Sequence, residues 1–281
     1  MSLPEVPDLR ARGRWPPPAG PRVAIVGSRR PSPYGEAVAE QLGADLARAG
    51  VIVVSGLALG IDAAAHRGAL SGGGITIAVM GTGVDIVYPA AHSLLAADII
   101  AAGGALVSQF PDGTVPRRQN FPARNWTMAA LSDLVVVVEA AEGSGALITA
   151  EAALHLHKEV MAVPGSVFSP LSVGTHGLLR DGAGLVQNGR DVLAALGLGG
   201  EVLDDPLRAP SRLGFELRPE RDGIAAHLSD VLALSAADIA RKLHLPVAEV
   251  LARLTALELD GAVRRQAAGY IRALRKGKER A

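Results

Sequence analysis

Short apolar runs rich in β-branched residues alternate with Ala- and Leu-rich helical stretches through most of this chain. Residues 23–26, 51–55 and 75–80 are three such runs, and the apolar residues in each are nearly continuous. Continuous rather than alternating hydrophobicity is typical of strands in a parallel sheet that helices cover on both faces. The pattern therefore predicts an α/β fold, a Rossmann-like doubly wound and mostly parallel sheet over residues 22–200.

The rest of the chain predicts three further segments. Residues 1–21 contain a run of prolines after Trp15 and are expected to form an extended lead-in. Residues 201–220, rich in Pro, Arg and acids, are expected to be a linker. Residues 221–281 show a first helical segment that ends at 229–234, then predicted helices at 236–243 and 246–259, and two β-like pieces around Gly269. That order predicts a small C-terminal winged-helix domain.

Composition excludes several classes of function. The chain has 281 residues and a formal net charge of +0, so it is not a broadly basic nucleic-acid protein. It has no cysteine, which excludes disulfides, thiolate metal sites and a cysteine nucleophile. We find no signal peptide and no apolar run long enough to span a bilayer. We therefore expect a cytoplasmic protein without a membrane association.

The loop that follows the first predicted strand is a candidate binding site. It contains Gly27, Ser28, Arg29 and Ser32 ahead of a predicted helix. In a doubly wound sheet, ligands bind at the carboxyl ends of the strands. Glycine lets the backbone approach a ligand, helix N–H groups favour phosphate, and Arg supplies a charged fork. The alternative is an ordinary strand-to-helix turn with a surface arginine.

Two further glycine-rich segments fall on the same predicted edge of the sheet. Gly56 follows one strand, and Ser144 and Gly145 follow another and open a helix. Neither the segment at Gly56 nor Gly81-Thr82-Gly83, which follows the next strand, completes a G-x-G-x-x-G motif, and the chain has no G-x-x-x-x-G-K-[ST]. Neither a dinucleotide-dependent dehydrogenase nor a Walker-type ATPase is therefore supported. We expect no cofactor, no metal site and no catalytic residue.

The segment 117–126, which we predict to be a loop before a helix at 126–132, is the most informative. It contains Arg117, Arg118, Phe121 and Arg124, with Asn125 and Trp126 at its end. Arginines can neutralise a phosphate backbone while aromatic rings stack on bases, which is the combination that single-stranded nucleic acid requires. The alternative is a solvated loop whose aromatic side chains fold back into the core.

These motifs occur together in one order that resembles the DNA-processing protein A family (DprA, also called Smf). The resemblance covers residues 22–190 almost without interruption, and the winged-helix segment also fits the family. The matching stretches are VAIVGSRRPSPYG, VVSGLALGIDAAAHRGAL, AVMGTGVDIVYPAAHSLL, QNFPARNWTMAALSDLVVVVEAAEGSGALITAEAAL and EVMAVPGSVFSPLSVGTHGLLRDGA.

The resemblance implies a non-catalytic protein that binds single-stranded DNA without sequence preference. It also implies a homodimer formed through the Rossmann-like domain, and loading of the RecA recombinase onto DNA in natural transformation and recombination. The implied DNA-binding residues are Gly27, Ser28, Arg29, Ser32, Gly56, Arg117, Arg118, Phe121, Arg124, Asn125, Ser144 and Gly145. One departure is Trp126, which stands where the family usually has Arg or Lys.

Two other functions compete with this interpretation. The first is a nucleotide-processing enzyme similar to the lysine decarboxylase-like phosphoribohydrolases, whose PGGxGTxxE motif carries a catalytic Glu. The nearest counterpart here is residues 142–146, and Thr149 stands where that Glu would be. The second is a duplex-binding regulator that uses the winged helix. Its recognition helix would carry Arg253 but also Glu249 and Glu258. These acidic side chains disfavour contacts with the base edges of a duplex.

Overall fold

The computed structural model describes residues 8–198, 228, 233–243, 245–259, 263–266 and 269–272. The chain divides into two compact units, Met1–Asp205 and Pro206–Ala281, and each is described by itself below. The predicted linker at 201–220 lies outside the described residues, as do the first seven residues of the predicted lead-in.

One sheet of eight strands forms the centre of the first unit. Its strands are β1 (Arg10–Gly13), β2 (Arg22–Val26), β3 (Ile52–Ser55), β4 (Thr76–Val79), β5 (Ala105–Ser108), β6 (Leu134–Val137), β7 (Glu159–Ala162) and β8 (Gly184–Leu185). The helices of this unit are α1 (Pro33–Arg48), α2 (Ile61–Ser71), α3 (Ser93–Ala101), α4 (Asn120–Ala130), α5 (Gly145–His155), α6 (Val173–Arg180) and α7 (Gly189–Ala195). Short 3₁₀ turns precede α3 and α6.

The strand order is β1-β5-β4-β3-β2-β6-β7-β8, and every pair is parallel except β1 with β5. From β2 the chain winds outward through β3 and β4 to β5 and then returns to place β6 on the other side of β2. The doubly wound, mostly parallel sheet predicted from the sequence is therefore confirmed. The winding direction reverses between β2 and β6, which makes that crevice the topological switch point.

Both faces of the sheet are buried, which explains why the strands read as continuous apolar runs. One face of the central strands packs on α1 and α2 through residues such as Ile25, Leu46 and Ile61. The opposite face packs on α4 and α5 through residues such as Val54 and Met128. A third cluster places Ala96 and Ile99 of α3 against Leu106 of β5.

Two elements of this unit differ from the prediction. Helix α4 begins at Asn120 rather than at residue 126, so Phe121, Arg124 and Asn125 lie on a helix and not in a loop. Pro122 occupies the first turn of α4, where its missing N–H leaves no hydrogen bond unmade. The second difference is β1, which pairs antiparallel with β5 within the predicted lead-in.

The described part of the second unit contains α8 (Ala236–Leu243), α9 (Val247–Leu259) and a hairpin of β9 (Val263–Gln266) and β10 (Gly269–Arg272). The helices and the hairpin enclose a small core that includes Ile239, Leu254 and Tyr270. Gly269 has a φ of 138°, a backbone conformation that favours glycine. Two helices followed by a two-stranded hairpin agree with the predicted winged helix.

Buried His66 makes the stability of the first unit sensitive to pH. Burial, with nearby His92, Arg124 and Arg67, lowers the pKa of His66 from 6.5 to about 3. Below pH 6.5 the unfolded chain therefore binds a proton that the folded chain excludes, and stability falls as pH falls toward 3.

We expect this histidine to contribute a loss of up to roughly 1.4 kcal/mol per pH unit in that window. Urea unfolding near pH 7.5 and near pH 5 measures the loss. The His66→Gln variant is expected to show a shallower pH dependence than the natural chain. An identical dependence in both proteins would contradict the assignment.

Candidate functional site

A cavity of about 510 Å³ opens at the carboxyl ends of β2 and β6, at the switch point of the sheet. One wall is the loop 27–30 after β2, and the opposite wall is the loop 141–145 that leads into α5. Side chains of α4 form the floor between them, Asn125 and Met128 among these. The location agrees with the binding edge expected from the sequence.

The cavity collects only part of the predicted site. The predicted residues that line it are Gly27, Ser28, Arg29, Arg124, Asn125, Ser144 and Gly145. The predicted residues that lie outside its lining are Ser32, Gly56, Arg117, Arg118 and Phe121. The second group supports the walls or extends the site along the edge of the sheet, as the contacts below show.

The amino end of α5 provides hydrogen-bond donors to the cavity. Ser144 caps this helix by accepting a hydrogen bond from the Ala146 N–H at 3.4 Å. Gly145 has no neighbouring atom within 4 Å of where a Cβ would stand, so the backbone here is open to a ligand. One turn later, Thr149 is fully buried, lines the cavity, and has no hydrogen-bond partner for its hydroxyl within the structure. The partial positive charge at a helix N-terminus and these donors favour an anion.

Ser32 is occupied by a structural interaction. Its hydroxyl donates to Glu139 Oε1 at 2.6 Å, and its backbone N–H donates to Glu139 Oε2 at 2.9 Å. The same hydroxyl accepts from the Gly35 N–H and caps α1. Ser32 therefore joins the loop after β2 to the segment that follows β6, next to the cavity.

Arg124 is a buried arginine, only 3% exposed, and it holds several strand ends together. Its Nη1 donates to the Gly56 carbonyl after β3 and, at 2.8 Å, to the Val79 carbonyl of β4. Its Nε donates to Asn125 Oδ1 at 3.1 Å, and Asn125 Nδ2 donates to the Gly145 carbonyl at 2.9 Å. Arg124 and Asn125 thus connect β3, β4 and α5.

Gly56 makes room for this arrangement. A Cβ at Gly56 would lie 2.0 Å from Arg124 Nη1 and 2.6 Å from Asp62 Oδ2. Burial raises the pKa of Asp62, and the nearby positive charge of Arg124 opposes that shift. Burial likewise lowers the pKa of Arg124, with Asp62 opposing it. The two groups therefore compensate each other's buried charge in the lining of the cavity.

Phe121 lies at the rim of the cavity among cationic and aromatic groups. The guanidinium carbon of Arg29 is 5.3 Å from the centre of its ring, and that of Arg124 is 5.8 Å away. Tyr88, which is 46% exposed, lies 5.9 Å from the same ring, centre to centre. Phe121 packs on Gly81 after β4, where a Cβ would come within 2.9 Å of the ring. The rim therefore combines an exposed arginine with two aromatic rings.

The remaining arginines and the tryptophan of segment 117–126 lie in two different environments. Arg117 and Arg118 are exposed just before α4, at the carboxyl edge of the sheet. Trp126 is instead partly buried against the α4–α5 core and stacks on His155 at 5.7 Å. The outer arginines thus add positive charge to this edge, while the tryptophan belongs to the packing of the fold.

The predicted site omitted three residues that contribute to this region: Arg30, Tyr88 and Thr149. Arg30 adjoins Arg29 and could have been included on charge alone. Tyr88 follows the glycine-rich end of β4, and aromatic residues form only 3% of the chain, which was a usable signal. Nothing in the local sequence distinguishes the hydroxyl of Thr149 from that of an ordinary helical threonine.

The cavity suits an anion with an aromatic part better than a metal ion. No group of three or more His, Cys, Asp or Glu that could hold a metal occurs among the described residues. Two acidic groups, Glu142 and Asp62, also line the cavity, so the positive charge is concentrated on the side of Arg29 and Arg30. A nucleotide fits both features, with its phosphate at the amino end of α5 and its base stacked toward Phe121 and Tyr88.

Fold and site define a Rossmann-like α/β protein whose anion-accepting cavity lies at the switch point of the sheet. The chain belongs to the DNA recombination-mediator protein A family, whose model matches residues 4–197. A model of the DprA winged helix domain matches residues 208–269, and the chain therefore carries that domain after the α/β unit.

Individual relatives agree with this assignment. Protein Smf of Escherichia coli is 40% identical over 257 residues, which cover 89% of this chain and 67% of that protein. The DNA processing protein DprA of Streptococcus pneumoniae is 46% identical over 174 residues, 62% of this chain and 61% of the relative. The chain thus spans about two thirds or less of the length of these curated relatives.

Two solved structures share the fold. That of Streptococcus pneumoniae DprA superposes with a TM-score of 0.58 and 44% identity, covering 62% of this chain and 61% of the other. The structure of Helicobacter pylori DNA processing protein A is described for its single-stranded DNA binding mode. It superposes with a TM-score of 0.61 and 30% identity, covering 70% of this chain and 93% of the other. No helix in the described residues is long and apolar enough to cross a membrane.

The two glycines of the site predict opposite responses to an added methyl group. Gly56→Ala forces its Cβ into Arg124 and Asp62, so we expect a loss of about 1–3 kcal/mol in the free energy of unfolding. Gly145→Ala meets open space in the first turn of α5 and is expected to be neutral or stabilising by up to about 1 kcal/mol. Denaturant unfolding of both variants measures the difference. Equal effects would show that Gly56 is not required for the approach of Arg124.

Proposed function

We propose that this protein is a non-catalytic, sequence-independent binder of single-stranded DNA. The observation that carries the proposal is the exposed guanidinium of Arg29 beside the Phe121 ring, at the mouth of the switch-point cavity. An arginine next to an aromatic ring pairs a phosphate contact with a surface on which any base can stack. The structure of the Helicobacter pylori relative, which concerns binding of single-stranded DNA, supports the same conclusion.

Near-neutral overall charge is compatible with this function because the relevant field is local. Arg29, Arg30, Arg117 and Arg118 are all exposed at the carboxyl edge of the sheet. None of them forms an ion pair within 4.0 Å in the part of the chain that the structure describes. Their charges are therefore available to a phosphate backbone.

We further propose that the protein acts in the cytoplasm as a homodimer, joined through the Rossmann-like domain. In that role it loads the RecA recombinase onto the bound strand during natural transformation and recombination. Family membership supports this role, since the matching model describes a recombination mediator. A dimer would hold one strand at two cavities and raise the avidity without any new kind of contact.

The phosphoribohydrolase alternative lacks its catalytic group. The position that corresponds to the catalytic Glu is Thr149, whose buried hydroxyl cannot replace a carboxylate as acid or base. Asp62 remains as a buried carboxyl in the lining of the cavity, with a raised pKa. Incubation with a nucleoside monophosphate and detection of free base tests this alternative. We expect no base to be released, and release would overturn the non-catalytic proposal.

The winged helix does not favour duplex readout. Arg253 of α9 is ion-paired with Glu249, and Arg241 of α8 is ion-paired with Asp238. A helix whose arginine is already paired has little left to donate to base edges in a major groove. A footprint on a defined operator would nevertheless support the regulator alternative over the present proposal.

The binding test is fluorescence anisotropy with a labelled dT strand and with its duplex form, across a salt series. We expect preference for the single strand and an affinity that weakens with salt. Phe121→Ala removes the stacking surface, at about 1–3 kcal/mol per base, and Arg29→Ala and Arg118→Ala each remove a phosphate contact. All three variants are expected to bind more weakly.

Arg180→Ala is the matched control, because Arg180 is exposed at the end of α6, away from the cavity. Its affinity is expected to stay unchanged. Gly145→Ala serves as a second probe, since it leaves the fold intact but adds a methyl group where the strand would approach α5. Unchanged affinity in Phe121→Ala and Arg29→Ala together would refute the location of the site.

Loading of RecA is tested separately by the DNA-dependent ATPase activity of RecA on a strand coated with single-strand-binding protein. We expect this protein to shorten the lag before ATP hydrolysis and the Arg29→Ala variant to do so less. Sedimentation of the natural chain tests the proposed dimer. If the protein binds DNA but leaves the lag of RecA as long as it is without the protein, the function is restricted to strand binding.

A further inference from the structure

A row of three arginines lies at one edge of the sheet, two of them on strand β1 and the third directly after it. Arg10, Arg12 and Arg14 alternate with Ala11 and Gly13, and all five residues are exposed. β1 is the terminal strand in the sheet order, so only one of its edges is paired. The register places Arg10 opposite Ser108 and Arg12 opposite Leu106 of β5. Arg10, Arg12 and Arg14 together are the β1 arginines.

Arg10 and Arg12 lie on the face of the sheet opposite to the α4–α5 core. Ala11 and Gly13 pair with Val107 and Ala105, which belong to the α4–α5 core. Because side chains alternate across a strand, Arg10 and Arg12 lie on the opposite face, where α3 packs. The backbone N–H of Arg14 donates to the Gly104 carbonyl at 3.0 Å, which extends the fixed segment to the third arginine.

No acidic group neutralises these charges within the described structure. α3 carries one carboxylate, Asp98, and it forms no ion pair with the β1 arginines within 4.0 Å. Asp8 precedes them and is likewise unpaired in the described residues. Three like charges held within five consecutive residues repel one another, and a bound polyanion would relieve that repulsion.

The row begins at the edge of the sheet where the cavity opens. Since β1 runs antiparallel to β5, Arg10 lies at the carboxyl end of β5. Four strand spacings separate β1 from β2, roughly 19 Å along that edge at about 4.8 Å per strand. Groups that can contact a nucleic-acid strand lie within this interval. Phe121 packs at the end of β4, and Arg117 and Arg118 lie one turn before it.

We propose that the β1 arginines bind the phosphate backbone of a single strand that leaves the switch-point cavity, crosses Phe121 and continues past Arg118. The proposal rests on the single-strand binding proposed above and extends its site to the outer edge of the sheet. Residues two apart on a strand are about 6.8 Å from each other. That interval is comparable to the spacing of phosphates along an extended single strand, so successive arginines can meet successive phosphates.

Exposed charges on an edge strand can also serve to prevent pairing with a second sheet. The two roles respond differently to the sign of the charge. Glutamate keeps the edge charged and unpaired but repels phosphate, whereas serine removes both functions. Charge reversal therefore separates phosphate binding from edge protection.

The experiment compares the natural chain with a triple variant, Arg10→Glu, Arg12→Glu and Arg14→Glu. A control variant carries Arg48→Glu, Arg180→Glu and Arg190→Glu, which changes the net charge equally at positions away from β1. Anisotropy is measured with dT strands of about six and about twenty nucleotides, at several salt concentrations. Thermal unfolding and sedimentation of each protein are measured in parallel.

For the longer strand we expect the β1 variant to lose about tenfold in affinity, whereas the control changes little. The slope of log K against log salt is expected to fall by about 2, because three phosphate contacts contribute about 0.7 each. The shorter strand fits the cavity and Phe121, so its affinity is expected to be the same for the natural chain and the β1 variant.

The outcomes distinguish the two proposals. If the natural chain fails to bind even the longer strand, the proposed function fails and this inference fails with it. If it binds both strands and the β1 variant binds both equally well, only the arginine site is refuted. Equal losses in the β1 and control variants would attribute the effect to net charge and would also refute the site. Substitution by serine that causes association of the protein without weakening DNA binding would assign the arginines to edge protection.

Discussion

A buried guanidinium, that of Arg124, determines the geometry of the binding edge. It bonds to backbone carbonyls at the ends of β3 and β4 and lies beside the carboxyl of Asp62. Burying an unpaired charge costs several kcal/mol, so the arrangement is stable only if all these partners are present together. Gly56 is required by the same contact, because any side chain there would displace the guanidinium. A residue that the sequence marks as a DNA contact is thus first of all the support of the site.

Much of the fold could be predicted because it depends on local signals. Continuous apolar runs marked the parallel strands to within one or two residues, and the alternation with helices fixed the class of fold. The start of α4 was not predicted correctly, since residues 117–125 are mostly polar or charged and show no apolar helical periodicity. β1 was also missed, because a short exposed strand of arginines has neither apolar periodicity nor β-branched residues.

The site was predictable as an edge of the sheet but not as a set of contacts. Glycine-rich loops after strands identify the edge, since parallel strands bring their carboxyl ends together. Whether a polar residue in such a loop faces a ligand depends on partners far away in sequence. Ser32 is held by Glu139, more than a hundred residues later, and Thr149 is left without a partner by the packing around it. Such pairings are properties of the folded chain, and no local pattern records them.

The position of β2 between β3 and β6 has a consequence for how the protein is made. Val23 pairs with Leu134, so the two walls of the cavity come from segments that are synthesised far apart in time. A ribosome-bound chain that has completed β5 still exposes the unpaired edge of β2 and has only one of these walls. Such long-range pairing is slow, and exposed strand edges invite aggregation. The cavity at the switch point is therefore completed late, together with the closure of the sheet.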